Sequence, residues 1–416
     1  MKSDAQLVVY EPDSRINLFP LTLTSASFDL ILGTCTILDR IERAFGRKVE
    51  NLFVPEYLKE TVRERHPEVK VNELVDEKCV VVSSLIAPRS ELLREASTMK
   101  SDQDTVFTDS HGDPVFACLE RFGSEGFSKK IAKKELGKNL SDHALIRYPW
   151  ELVSHNSQAI IQDFVETRPR QVALRRVEAR GTKISVADSV DLESNVTLDS
   201  RSGPIILDEK AEVQSFSRIE GPCYVGKKTK VKSALLRGGT TVGEECRVSG
   251  EIEESVISSY TNKNHEGFIG HSYIGSWVNL GALTTNSDLK NSYGTIKMKV
   301  GNKVVDTGSM KVGVFIGDMC KTAIGTLIFS GKSIGVSSQL FGTVTEDVPS
   351  FTFYGKSLGS ESKELILESA VETQKRMMQR RNVPASRAYL GMIRSVFEMT
   401  QSERKLGKVK KGRFEI

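Results

Sequence analysis

The sequence predicts three parts in series: an open α/β (Rossmann-like) N-terminal domain, a left-handed parallel β-helix of hexapeptide rungs, and a C-terminal helical cap with a basic tail. Three observations carry this prediction. Short apolar runs alternate with helical patterns over 1–167, apolar or small residues recur every six positions over 168–360, and helical apolar spacing returns over 361–416.

The six-residue period is the most informative of these. In IGDMCKTAIGTLIFSGKSIGVSSQLFG, the positions Ile316, Thr322, Ile328, Ile334 and Leu340 are evenly spaced, with Gly317 and Gly335 following two of them. Neither an α-helix nor an ordinary strand has that period. Six residues make one side of a triangular coil, so the aliphatics point into a prism and small residues turn its corners. The same spacing appears at Ile184, Val190 and Val196, and at Leu207, Val213, Ile219, Val225 and Val231. Two stretches break it. In DSRSGPIILDEK, Gly203 and Pro204 predict a loop between rungs. Over 285–310, IKMKV and VVDTG flank Gly301 and Asn302 as a hairpin, and loops extruded from a rigid solenoid serve binding.

In the N-terminal part, 7–10, 52–54 and 80–82 read as strands and 37–45 and 90–96 as helices. The segment YEPDSRINLFPLTLTSASFDLILGTC carries a strand into an acidic, polar loop ahead of the helix at Ile37, and loops at the carboxyl ends of strands are where such sheets bind ligands. Downstream, RYPWELVSHNSQAIIQDF sets Leu152, Ile160, Ile161 and Phe164 in a pattern that closes the domain. The basic run FVETRPRQVALRRVEARGTKI, with Pro169, reads as a solvated linker across the first rung, with phosphate contact by its arginines as the alternative. The domain boundary falls near Thr167. Past Phe353 the rungs stop, and Leu365, Ile366, Ala370, Val371, Leu390, Ile393 and Phe397 predict cap helices, followed by the mobile tail RKLGKVKKGRFEI.

Composition narrows the partners. A formal charge of +4, from 58 basic and 54 acidic residues, excludes nucleic-acid binding by whole-chain electrostatics and leaves local anionic ligands. Six scattered cysteines without a CxxC pair point to reduced thiols in the cytoplasm. The start MKSDAQLVVYEPD has no leader pattern, and no apolar run is long enough to span a membrane. His265 and His271 stand six residues apart, one rung side, but no third or fourth ligand repeats with them, so no metal site is expected.

Two motifs carry a resemblance. INLFPLTLT before a helix, and YPWELV with Asn156 and Asp163 after it, resemble the sugar nucleotidyltransferase domain of GlmU-like proteins, while HEGFIGHSYIGSWVNLGA is similar to the acetyltransferase half of that family. For the front domain the resemblance implies a nucleotide cleft at Pro20, Leu21 and Thr22, Arg15 as a phosphate contact, and UTP and Mg2+ as participants in nucleotidyl transfer. The family's glycine-rich phosphate loop is absent from VVYEPDSRIN, and Ser25 and Ala26 stand where its members carry Arg-Pro. The domain is therefore either active or a degenerate fold that binds without turnover.

For the β-helix the resemblance implies acetyl transfer from acetyl-CoA to the amine of a sugar 1-phosphate, as in UDP-N-acetylglucosamine formation. His265 would be the general base and Glu251, fourteen residues back, would orient it. His271 takes the next-rung position, which is not catalytic. Phe268 replaces the family tyrosine, and Glu253 stands where relatives carry a phosphate-binding lysine, a role left to Lys263, Arg237 or Lys297. Asn279 and Asn286 would meet the sugar, with an amide ladder as the other reading of Asn279. Ala282, Gly317 and Gly335 would line the groove for the coenzyme. The family further implies a homotrimer packed through 205–345. The alternative to an enzyme is a non-catalytic trimeric β-helix that binds a ligand or organises partners.

Overall fold

The computed structural model describes residues 5–101, 103–127, 130–167 and 177–415. The linker arginines Arg168, Arg170, Arg175 and Arg176 lie outside the described residues, whereas Arg180 pairs with Glu178.

The front domain is a seven-stranded sheet with helices around it. In chain order its elements are β1 (Gln6–Tyr10), α1 (Ile37–Phe45), β2 (Asn51–Phe53), α2 (Lys59–Arg65), β3 (Lys70–Val71), β4 (Cys79–Ser83), α3 (Ser90–Thr98), β5 (Thr105–Thr108), β6 (Pro114–Leu119), β7 (Ala132–Glu135) and α4 (Pro149–Thr167). The strands lie in the order β3-β2-β1-β4-β6-β5-β7, parallel from β3 to β4. Continuous apolar strands such as β1 and β4 are covered on both faces, which is why they do not alternate. Helix α1 starts in a capping box between Thr36 and Asp39 and stops at Gly46, whose φ of 63° an L side chain tolerates poorly.

Beyond the linker the chain winds into a three-faced left-handed β-helix. The first face stacks Glu178–Arg180, Thr197–Asp199, Arg218–Glu220 and their successors in parallel register. The second runs from Ile184–Val186 to Lys332–Ile334. The third runs from Asp191–Leu192 through Arg247, Asn262, Asn279 and Lys321 to Thr352–Tyr354. The six-residue positions form its interior: Ile316, Ile328, Ile334, Leu340, Val213, Val225 and Val231 are buried in one core. Coil length varies, from 14 residues where Gln339 pairs with Phe353 to 21 where Thr197 pairs with Arg218, and to 42 where the extruded hairpin segment lies between Tyr273 and Phe315. The extra residues at Gly203 and Pro204 make a long corner packed on Pro222. The expected hairpin is present, with Lys297–Val300 antiparallel to Lys303–Asp306.

The cap consists of α5 (Leu367–Gln379), α6 (Arg387–Met399) and α7 (Gln401–Leu406). The tail is not the mobile segment its composition suggests. Lys410 bridges to Lys363, and Phe414 stacks on Phe353 with ring centres 5.2 Å apart, so an aromatic near the end of the chain anchors the basic run. No described helix is long and apolar enough to cross a membrane.

The front domain docks on the second face. Helix α4 packs against the strands Cys223–Val225, Thr240–Val242 and Tyr273–Ile274. Asn156 on α4 accepts from the Gly33 amide (2.8 Å) and donates to the Gly239 carbonyl (2.9 Å), while Thr241 Oγ1 donates to the Gly33 carbonyl (2.8 Å). Tyr273 reaches the Ile31 carbonyl, and Thr24 Oγ1 donates to Asp318 at 2.8 Å.

Candidate functional site

Helix α5 crosses the third face and encloses with it a cavity of about 760 Å³. Alternation builds the floor. Val248, Leu280 and Thr322 point into the prism, so Arg247, Asn279 and Lys321, each one residue before its partner, point out. Asn264, His265 and Ala282 come from the corner and coil that follow, and Arg376, Arg380 and Arg381 descend from the helix. Six basic side chains and no carboxylate line this space. Lys232, Arg247, Lys321, Arg376 and Arg380 form no ion pair among the described residues, so their fields add in a concave site that favours an anion. Burial pushes the Lys321 ammonium down to about 8 while it donates to the Met319 carbonyl.

Two groups on the rim lack partners of the kind a ligand supplies. The exposed His265 ring makes no hydrogen bond or ion pair among the described residues. Asn264 Oδ1 is buried with no donor, a state that costs about 1–3 kcal/mol unless something fills it.

Lys263 sits beneath this rim rather than in the cavity. It pairs in register with Val248, so it occupies an apolar slot of the prism core and is 2 % exposed. Its ammonium donates to the carbonyls of Ser249 (2.7 Å) and His265 (3.1 Å), which ties the His265 corner inward. The expected phosphate contact is therefore replaced by a backbone anchor. Burial, only partly offset by Glu266, pushes its pKa from the usual 10.5 down to about 8. The unfolded chain thus holds this proton more tightly, and folding gains up to about 3 kcal/mol from the group as pH rises from about 8 to 10.5. Urea titrations of Lys263→Met should show the variant losing that much relative to wild type across the same interval. A difference that is flat with pH would contradict a buried ammonium.

Comparison with known proteins bears on both halves. Residues 7–170 match the sugar nucleotidyl transferase family. A bifunctional sugar-1-phosphate nucleotidylyltransferase/acetyltransferase of Sulfurisphaera tokodaii is 32% identical over 154 residues, covering 36% of this chain and 38% of the relative. The bifunctional protein GlmU of Cupriavidus pinatubonensis is 22% identical over 311 residues, covering 68% of this chain and 61% of the relative. The chain is similar to these bifunctional proteins. It spans between 38% and 61% of the length of these curated relatives. The UDP-N-acetylglucosamine acyltransferase of Francisella novicida aligns with a TM-score of 0.33 at 13% identity, over 57% of this chain and 93% of that one. The coil registers above define the solenoid by themselves.

Of the residues that the GlmU-like motifs single out, the cavity brings together His265, Asn279 and Ala282. Asn279 is also in the amide ladder, accepting from Asn262 Nδ2 at 3.4 Å. Glu251 does not reach His265: it lies on the first face, where its carboxylate accepts from Arg237 Nε at 2.6 Å. Phe268 is its half-buried neighbour in register, around the corner from the cavity. Asn286 is fully engaged inside the prism, clasping both the amide and the carbonyl of Gly270 at 3.0 Å. Lys297 stands exposed on the hairpin and does not line the cavity.

The remaining expectations fall outside the cavity. A Cβ on Gly317 would lie 3.0 Å from the Pro20 side chain, and one on Gly335 would lie 2.2 Å from the Ser350 amide, so neither glycine opens a groove for a coenzyme. Arg15, Leu21 and Thr22 are buried. The Arg15 guanidinium donates to the Thr22 carbonyl (2.6 Å) and Tyr57 (2.9 Å) and pairs with Glu11 (3.4 Å), which leaves a phosphate no access to it. The acids near the strand ends do not fit a Mg2+ cradle. Asp29 is held by Arg65 and His66, Glu11 accepts from Ser27, and no group of three or more metal-ligating side chains converges among the described residues.

Sequence reasoning missed Arg247, Asn264, Lys321 and the whole α5 wall. The one available signal was the pair Arg376 and Arg380, four residues apart on a predicted helix and hence on one side of it.

Proposed function

We propose that the chain is an acetyl-CoA-dependent N-acetyltransferase of an amino-sugar 1-phosphate, acting in sugar-nucleotide biosynthesis of the UDP-N-acetylglucosamine type. The observation that carries this reading is a free imidazole, His265, at the edge of a cavity with six basic side chains and no carboxylate. Imidazole takes up a proton near neutrality. In this reading His265 accepts a proton from the sugar amine as its nitrogen attacks the thioester carbon. The C–N bond forms, the C–S bond breaks, and the proton passes to the departing thiolate. Asn264 Oδ1, which lacks a donor, accepts the amine's other N–H.

Lys232, Arg247, Arg376 and Arg380 face the phosphates of the coenzyme and of the sugar. The stacked strand positions Lys230, Arg247, Asn262, Asn279 and Lys321 run about 19 Å at roughly 4.8 Å per rung, a length that suits an extended pantetheine arm. For the front domain we propose scaffolding without turnover, supported by the engagement of Arg15 and Pro20 with protein groups. This reading divides the chain at 1–167, 168–360 and 361–416. A homotrimer packed through 205–345 would use the first face, since the second carries the front domain and the third the cap. Six unpaired thiols, five of them buried, support a reducing cytoplasmic setting.

The test is to supply purified protein with glucosamine 1-phosphate and acetyl-CoA, and separately with UTP and N-acetylglucosamine 1-phosphate. Free thiol should appear in step with N-acetylated sugar, and pyrophosphate should not appear. Thiol release without acetylated sugar, or no reaction at all, would leave the scaffold alternative standing.

A further inference from the structure

We propose that Arg381, just past the end of α5, is a positioning residue that fixes which atom Asn279 presents to the ligand. This rests on the reading of the cavity as the acyl-transfer site. Arg381 Nη2 donates to Asn262 Oδ1 at 2.7 Å, and Glu245, at 3.8 Å, holds the guanidinium from the other side. A guanidinium has five donors and no acceptor. Asn262 must therefore turn its oxygen to Arg381 and its NH2 to the next rung, where it donates to Asn279 Oδ1. The same logic passes one rung further. With its oxygen turned toward Asn262, Asn279 directs its NH2 away from that rung, and that group has no partner among the described residues. The next residue on the stack, Lys321, spends one of its three N–H donors on the Met319 carbonyl and, having no acceptor, cannot take a hydrogen bond from that NH2. The free amide of Asn279 is thus a fixed donor aimed into the cavity.

The consequence is specificity for an oxygen acceptor on the sugar substrate, with an unpaired Asn279 amide as the penalty for a substrate that lacks one. Without Arg381, Asn262 can flip, Asn279 can follow, and the site would present an oxygen to an oxygen in part of the population.

Steady-state kinetics of Arg381→Met, Asn262→Ala and the double variant test the relay, with Arg381→Lys, Lys375→Met and His265→Ala alongside. Losing one oriented hydrogen bond corresponds to a KM rise of about tenfold for glucosamine 1-phosphate. Arg381→Met and Asn262→Ala should each show it, with kcat within about twofold and melting temperatures near wild type. The double variant should be no worse than either single one, because both cut the same relay. Arg381→Lys, still a pure donor, should restore the low KM. Lys375→Met, which removes a cation from the same helix outside the cavity, should leave the KM for the sugar within about threefold.

Additive effects in the double variant, or a change confined to the KM for acetyl-CoA, would overturn the relay and make Arg381 a simple phosphate contact. An active His265→Ala variant would instead overturn the reading of the site. Loss of fold in Arg381→Met would move the comparison to Asn262→Ala against Asn279→Asp, which cannot donate, and unequal KM values there would also reject the relay.

Discussion

His265→Ala should lower the rate of acetyl transfer by about a hundredfold to ten-thousandfold, whereas His271→Ala should keep most of the turnover. Burial alone would push the His271 pKa down. Hydrogen bonds to Asp288 (2.7 Å) and Glu254 (3.2 Å) outweigh it and push the group up to about 9. At neutral pH this ring is an imidazolium with no lone pair to offer an ammonium or an amine. Its contribution is to the corner it occupies. A raised pKa stabilises the fold fully below about pH 6.5, and that contribution is lost as pH rises through about 9. His271→Ala should therefore be less stable than wild type in acid, with the deficit closing in that interval. Product formation by both variants, measured beside urea midpoints at pH 6 and 9, separates the two roles. Equal rates for the two would remove His265 from the mechanism.

Asp163→Ala should destabilise the protein by about 3–5 kcal/mol. Its carboxylate is buried and holds Arg40 through both oxygens at 2.9 Å, Arg43 at 2.8 Å and the Thr34 amide at 2.9 Å. Arg40 is itself 2 % exposed, so deleting the acid strands a charge in the interior rather than merely removing an attraction. Arg43→Ala should cost far less, since that side chain is a third exposed and shares its charge with Glu166. Denaturant midpoints of the two variants provide the comparison. A loss below about 1 kcal/mol for Asp163→Ala would mean that the pair is not desolvated.

The solenoid was legible because its period is local. Ile316, Ile328, Ile334 and Leu340 declare the interior with no knowledge of the rest of the chain, and the hairpin turn at Gly301 and Asn302 is equally self-contained. Register was harder to read. A coil of 15 residues next to longer ones shifts the count, so Lys263 reads as a surface cation when its place in the stack is an apolar one beside Val248. The cavity was half legible. His265 and NLGA mark one wall, but Arg381 meets Asn262 across 119 residues of sequence, and no periodicity within either segment encodes that contact. The seam was hidden for a similar reason. Pro20 and Gly317 each suit a binding loop on sequence grounds, yet each covers the other.

The front domain also acts as a mechanical splint. Asn156 and Thr241 clamp the coil that continues to Arg247, Tyr273 clamps the one that continues to Asn279, and Asp318 clamps the one that reaches Lys321. The braced coils are those whose opposite side forms the cavity floor. Their pitch is held from behind, so the spacing of the cavity-floor groups is braced by a domain that contributes none of the lining residues.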